Sequence, residues 1–154
     1  MVKVRNIIPN DYILFQQLVR KCSPLDIHTS YTYWLMAKYY NKSSFILEVN
    51  NKPCGYIMTI ENSDVVFIWQ IAIIESQRKK GYSELLIDKV VEYAKNIRKP
   101  IEITIDKNNI NSTSAFKGYC SKNNYSMISL EEQEIYNENN IIHEKEILYH
   151  IDVF

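Results

Sequence analysis

Glycine is scarce in this chain: three residues in 154, at positions 55, 81 and 118. Each glycine therefore asks for a local reason, and a glycine-rich repeat is excluded. Excess charge is also missing, since 18 Lys and Arg balance 18 Asp and Glu. A nucleic-acid binder would show a basic excess or stripe, so no nucleic-acid partner is expected. The one tight basic cluster, Arg78-Lys79-Lys80, suits a phosphate-rich small molecule better than a duplex. Cys22, Cys54 and Cys120 form an odd set without metal-ligand spacing. Reduced thiols in a cytoplasmic protein, and no bound metal, are the expectation. No apolar run approaches the ~18 residues of a membrane span, and no apolar N-terminal segment reads as a signal peptide, so no membrane partner is expected.

What is present suits one domain over residues 1–154, with 46% hydrophobic residues to build a core. Strands are expected at 2–8, 44–49, 53–60, 65–74, 101–105, 125–130 and 141–153. Helices are expected from Asp11 to about Lys21, over 30–40, 82–97 and 112–122. The expected apolar faces are Ile13, Leu14, Leu18 and Val19 on the first helix, and Tyr31, Trp34, Leu35 and Tyr39 on the second. The third carries Leu85, Leu86, Val90, Tyr93, Ala94 and Ile97, and the fourth Ala115, Phe116 and Tyr119. Ser23-Pro24 breaks the first helix, and residues 131–140 read as a polar loop. The run 65–74 is nearly all apolar, as in a central strand buried on both faces. Such alternation predicts an α/β (α+β) fold, a mixed sheet with helices on both faces.

The informative segment passes from that buried strand through a short loop into a helix. The loop, Arg78-Lys79-Lys80-Gly81-Tyr82-Ser83, has the form Arg-x-x-Gly-x-Ser. A helix N-terminus offers unpaired N–H groups and partial positive charge, which together bind phosphate. Gly81 lets the backbone approach an anion closely, and Ser83 is small enough not to block it. The three basic side chains add charge. The bland alternative is a charged loop ahead of an amphipathic helix.

This strand–loop–helix resembles the diphosphate-binding motif of the Gcn5-related N-acetyltransferases. The resemblance implies a mostly antiparallel sheet of six to seven strands, a splayed central strand pair and about four helices. It implies acetyl-CoA as cosubstrate, the loop amides holding the CoA diphosphate and the backbone of Ile71, Ala72 and Ile73 meeting the pantetheine. Ser83 stands where Gly or Ala is usual, and Lys79 replaces a frequent glycine. A second family element is an Asn after the next strand, a small residue, then an aromatic. Here it is Asn109, Ser112 and Phe116. That aromatic is often a tyrosine able to protonate the leaving thiolate; Phe116 cannot, and Tyr119 is a weak substitute. Asn109 alone also reads as a helix cap.

Within the family, residues 23–33 with their Leu25-Asp26 and Tyr31, Phe67-Ile68-Trp69-Gln70-Ile71, and the tail from His143 to Tyr149 resemble the L-2,4-diaminobutyrate acetyltransferases. The resemblance implies a pocket of Asp26, Tyr31, Trp69, His143 and Glu146, acetylation of the γ-amine, and a homodimer. Chemistry agrees: one amine must be held charged while the other reacts neutral. Asp26 or Glu146 can hold the spectator ammonium by a charge-assisted bond, and Trp69 offers a cation–π face. Either carboxylate can also take the reacting amine's proton. Taken singly, Asp26 can be a helix cap, Trp69 and Tyr31 core, and His143 and Glu146 solvated residues. Two other readings stay open: acetylation of another small amine, such as a polyamine or amino acid, and a non-catalytic CoA-binding module.

Overall fold

The computed structural model describes residues 1–22 and 25–154. In chain order the elements are β1 (Val2–Asn6), a 3-10 turn (Pro9–Asp11), α1 (Tyr12–Val19), α2 (Ser30–Tyr39), β2 (Phe45–Val49), β3 (Lys52–Glu61) and β4 (Val66–Ile73). A second 3-10 turn (Glu75–Gln77) precedes α3 (Tyr82–Asn96). Then follow β5 (Ile101–Asp106), α4 (Ile110–Lys122), β6 (Ser126–Tyr136) and β7 (Ile142–Asp152). The seven strands form one sheet in the order β1-β2-β3-β4-β5-β7-β6. Only β4 and β5 run parallel; the other neighbours are antiparallel. The expected α/β class and element order are observed. The expected helix break at Ser23-Pro24 lies outside the described residues.

The core divides between the two faces of the sheet. On one face α3 and α4 pack Leu86, Val90, Ala94 and Phe116 against Val66, Ile68, Ile101 and Ile103. On the other, α1 and α2 pack Phe15, Leu18, Tyr33 and Ala37 against Ile46, Tyr56, Met58 and Ala72.

Two features of β4 position the site. First, β4 pairs with β5 only from Val66 to Ile68. Beyond that point β4 continues to Ile73 beside β3, while β5 continues to Asp106 beside β7. The two parallel strands thus splay into a cleft. Second, β4 carries a bulge: Met58 pairs with Gln70 and Thr59 with Ile68, leaving Trp69 as the extra residue. A bulge offsets the two-residue alternation of a strand. Val66 and Ile68 face α3 before it, and Ile71 and Ile73 face α3 after it. Trp69 and Gln70, consecutive in sequence, both point toward α1 and α2.

Several expectations need correction. Leu18 and Val19 are buried as expected, but Ile13 is exposed and Phe15 is buried in its place. The second helix buries Tyr33 and Ala37, four residues apart, and leaves Tyr31 and Tyr39 at 67% exposure. Ala37 lets that helix approach the sheet closely, with Tyr33 inside and Tyr31 and Tyr39 outside. Leu85 and Ala115 also face solvent. Residues 131–140 are not all loop: β6 pairs with β7 as far as Tyr136↔Ile142. Most side chains on the far half of this hairpin are exposed, so the apolar alternation that signals a half-buried strand is missing there. The reversal is built by Asn137, whose Oδ1 accepts from the N–H groups of Asn139 and Ile141 at 2.9 and 3.1 Å.

Candidate active site

The loop from β4 to α3 has the backbone of an anion cradle. Lys79 and Gly81 carry φ of 61° and 78°. Left-handed residues within a turn bring successive N–H groups to one concave side, here at the N-terminus of the 15-residue α3. A Cβ placed on Gly81 meets no protein atom within 4 Å. The glycine is therefore demanded by its φ and by the open space before it, not by packing. Two of the three basic side chains are already engaged. Arg78 Nε donates to the Ile73 carbonyl at 2.9 Å, and Lys80 Nζ donates to Gln77 Oε1 at 3.1 Å. Backbone amides are thus the better-placed anion donors. Tyr82 packs against the α3-side core, and Ser83 is half-buried in the first turn of α3.

The splay frees backbone groups on β4. The Ile74 N–H bonds back to Cys54 on the β3 side at 2.9 Å. Strand alternation then turns the N–H groups of Ile71 and Ile73 toward the cleft, while Ala72 turns toward β3. Gly55 keeps β3 close behind: a Cβ there would lie 2.7 Å from the Ala72 carbonyl oxygen. Across the cleft, Asn109 caps α4, its Oδ1 accepting from Ser112 N at 3.1 Å. Phe116 is 3% exposed within the core; packing occupies it and leaves little of it for a ligand. Tyr119 is turned away from the cleft as well, since its hydroxyl donates to Asp88 Oδ1 at 2.6 Å and ties α4 to α3.

The acceptor side is built by segments distant in sequence. Gln70 Nε2 donates to the Asp26 carbonyl at 3.2 Å, so β4 holds the loop before α2. The His28 ring lies 4.8 Å from Trp69. Gln16 of α1 donates to the His28 carbonyl at 2.6 Å. The same loop reaches β7: Asp26, His143 and Glu144 bring one polar atom each within 4.8 Å of one another. The loop therefore spans from β4 to β7, over the cleft between β4 and β5.

Glu146 lies two residues along β7 from Glu144, on the same strand face, and opposite Asp106 of β5. Its Oε2 is buried and, among the described residues, is the one buried side-chain oxygen or nitrogen without a hydrogen-bond partner. Burial first, then Glu144 within hydrogen-bonding reach, then Asp106, push the Glu146 carboxyl from an ordinary 4.5 up to about 7. A protonated Glu146 can donate to Glu144; two ionised carboxylates repel. The pair is thus suited to accept a proton near neutral pH.

Of the expected pocket residues, Asp26, Trp69, His143 and Glu146 border this region. Tyr31 is exposed on α2 and stacks on Trp34, with ring centroids 6.1 Å apart. Tyr33 takes the inward position, fully buried 6.1 Å from Trp69. The residue-level reading missed Gln70, His28, Tyr33 and Glu144. Two had a signal: Gln70 is the only amide in an apolar strand, and Glu144 shares a strand face with Glu146.

The model of the acetyltransferase (GNAT) family matches residues 12–119. The chain belongs to the GNAT acetyltransferase family. It is an acetyl-CoA-dependent N-acetyltransferase. Relatives of this acetyltransferase include an L-2,4-diaminobutyric acid acetyltransferase of Vibrio parahaemolyticus, 30% identical over 87% of this chain and 76% of the relative. The enzyme of the same name from Oceanobacillus iheyensis is 29% identical over 88% and 79%. Among solved structures, the fold matches the diaminobutyrate acetyltransferase EctA of Paenibacillus lautus, in complex with L-2,4-diaminobutyric acid and coenzyme A. That match has a TM-score of 0.84 and 24% identity, covering 98% of this chain and 94% of the other. Among the described residues, no helix of this acetyltransferase is long and apolar enough to cross a membrane.

Proposed function

We propose that this acetyltransferase transfers the acetyl group of acetyl-CoA to the γ-amine of L-2,4-diaminobutyrate in a ternary complex. The observation that carries the reading is the loop that joins β4 to β7, bringing Asp26 to His143 and Glu144 beside a carboxyl poised near neutrality. The names of the curated relatives support the same acceptor.

In this reading the amides of residues 78–83 hold the CoA diphosphate, and the thioester lies along Ile71–Ile73. Asn109 and Ser112 border the cofactor from the start of α4. The acceptor's α-ammonium binds Asp26, with Trp69 as one wall, and its carboxylate meets His143. Glu146, with Glu144, takes one proton from the γ-ammonium, directly or through water. The neutral nitrogen then attacks the thioester carbonyl, and an N–H of Ile71 or Ile73 stabilises the oxyanion. One such donor is worth about 3 kcal/mol. Collapse breaks the C–S bond, and one of the two protons on the attacking nitrogen passes to the departing sulfur, the other staying as the amide N–H. The products are the amide and CoA thiol, and Glu146 returns its proton to solvent. No tyrosine acid is required in this sequence.

A thiol-release assay on purified protein with acetyl-CoA and a panel of amines, with the product's acetyl position read by NMR, tests this. Turnover of another amine and none of diaminobutyrate refutes the acceptor assignment. We also propose a cytoplasmic homodimer, supported by the exposed Tyr31 and Tyr39 of α2; light scattering at the mass of one chain refutes the dimer.

A further inference from the structure

Gln70 is a buried polar side chain, 9% exposed, that the chemistry above does not use. The β4 bulge turns it to the same side as Trp69. Its Oε1 accepts from the Tyr33 hydroxyl at 3.4 Å and from the Tyr56 hydroxyl. Burial pushes the Tyr56 phenol well above its ordinary range, so it stays protonated as a donor. With two hydroxyls on its oxygen, the amide has one orientation: its NH2 points the other way, to the Asp26 carbonyl. Tyr33 Oη also receives the His28 N–H, at 3.5 Å. The loop bearing Asp26 and His28 is thus fastened to the floor of the sheet through one side chain.

We propose that Gln70 is a positioning residue, whose tyrosine-oriented amide holds the Asp26 backbone and thereby aims the Asp26 carboxylate at the acceptor's spectator ammonium. The proposal rests on Asp26 being that anchor. Gln70→Met keeps the volume and removes every hydrogen bond. Gln70→Glu keeps an acceptor for the tyrosines and faces the Asp26 carbonyl with an oxygen instead of a donor. Losing one such clamp corresponds to about a tenfold change.

The test is steady-state kinetics of the full chain with diaminobutyrate and with 4-aminobutyrate, which lacks the spectator amine. In both Gln70 variants we expect KM for diaminobutyrate to rise about tenfold, with kcat and KM for acetyl-CoA held within about twofold. The preference for diaminobutyrate over 4-aminobutyrate should fall by the same factor, whereas a general loosening lowers both acceptors together. Tyr33→Phe, which removes only a hydroxyl, should give a smaller rise of about threefold and serves if Gln70→Met does not fold. Asp26→Asn is measured alongside. An impaired Asp26→Asn beside an unchanged Gln70→Met, or equal losses for both acceptors, overturns the positioning role alone. A wild-type KM in Asp26→Asn overturns both the anchor and its positioning.

Discussion

Replacing Glu144 by Gln keeps the shape of the site but removes one negative charge beside Glu146. Glu146 sits near 7 because it is buried, because Glu144 stands within hydrogen-bonding reach, and because Asp106 adds a third carboxylate. Burial survives the substitution; the like charge does not. A single neighbouring carboxylate raises a pKa by about one, so the Glu146 midpoint should drop to about 6. At pH 6, a base with a midpoint of 7 is about one-tenth ionised, and one with a midpoint of 6 is half ionised. If Glu146 is the base, the variant-to-wild-type ratio of kcat/KM at pH 6 should exceed the ratio at pH 8.5 about fivefold. The substrate amine also titrates, but identically for both proteins, so the ratio cancels it. Any loss of binding caused by the missing carboxylate lowers the ratio equally at all pH values. Initial rates of thiol release from pH 5.5 to 9 measure it. A ratio flat across that range would show that Glu146 does not gate the reaction.

The same carboxyl affects stability with a definite sign. Its folded pKa lies above the unfolded value, so between pH 4.5 and 7 the folded state holds a proton that the unfolded chain has released. Stability from this group therefore falls as pH rises through that window. The full displacement corresponds to about 3 kcal/mol, and solvent screening at a half-open position reduces it to about 1–2 kcal/mol. Glu144→Gln should recover part of this, seen as a higher Tm at pH 8 and an unchanged one at pH 4.

If the loop amides hold the diphosphate as proposed, Gly81→Val should raise KM for acetyl-CoA more than Arg78→Ala, because Arg78 is already tied to Ile73. No protein atom crowds the Gly81 Cβ position, so the stability cost should be that of forcing a β-branched residue into left-handed backbone, about 2 kcal/mol, read by urea denaturation. Tyr119→Phe should leave kcat within about threefold and cost about 1 kcal/mol of stability, since its hydroxyl serves Asp88; a hundredfold loss of kcat would restore it as the acid. Because the charged groups brought together at the acceptor side are Asp26, Glu144 and Glu146 with His143, 1,3-diaminopropane should outperform 4-aminobutyrate in kcat/KM by tenfold or more. The opposite order would mean that the carboxylate, not the second ammonium, is what the pocket recognises.

The two halves of the site were unequally legible because they are built at different distances along the chain. The cofactor half is a strand, a loop and a helix start within residues 66–83, so local pattern and the chemistry of unpaired amides lead to it directly. The acceptor half joins residues near 26, 70 and 144, which meet only because β7 inserts between β5 and β6. No local periodicity encodes that insertion. The bulge at Trp69 is equally silent in a nearly all-apolar run, yet it decides that Trp69 and Gln70 share a side. The expected inner face of the second helix failed for a related reason: aromatic bulk suggested Tyr31 and Tyr39, whereas Tyr33 and Ala37 are the buried positions. The helix aromatic that packs inward is Tyr33, 6.1 Å from Trp69, two residues and about half a helical turn from Tyr31. The polar exception inside β4 was the one long-range clue in plain view. An amide buried in a central strand has to satisfy four hydrogen-bonding sites, and the partners available here are two tyrosines and the loop that carries Asp26. If Asp26 anchors the spectator ammonium as proposed, acceptor recognition depends on a contact between a strand interior and a loop backbone, the Gln70 amide on the Asp26 carbonyl.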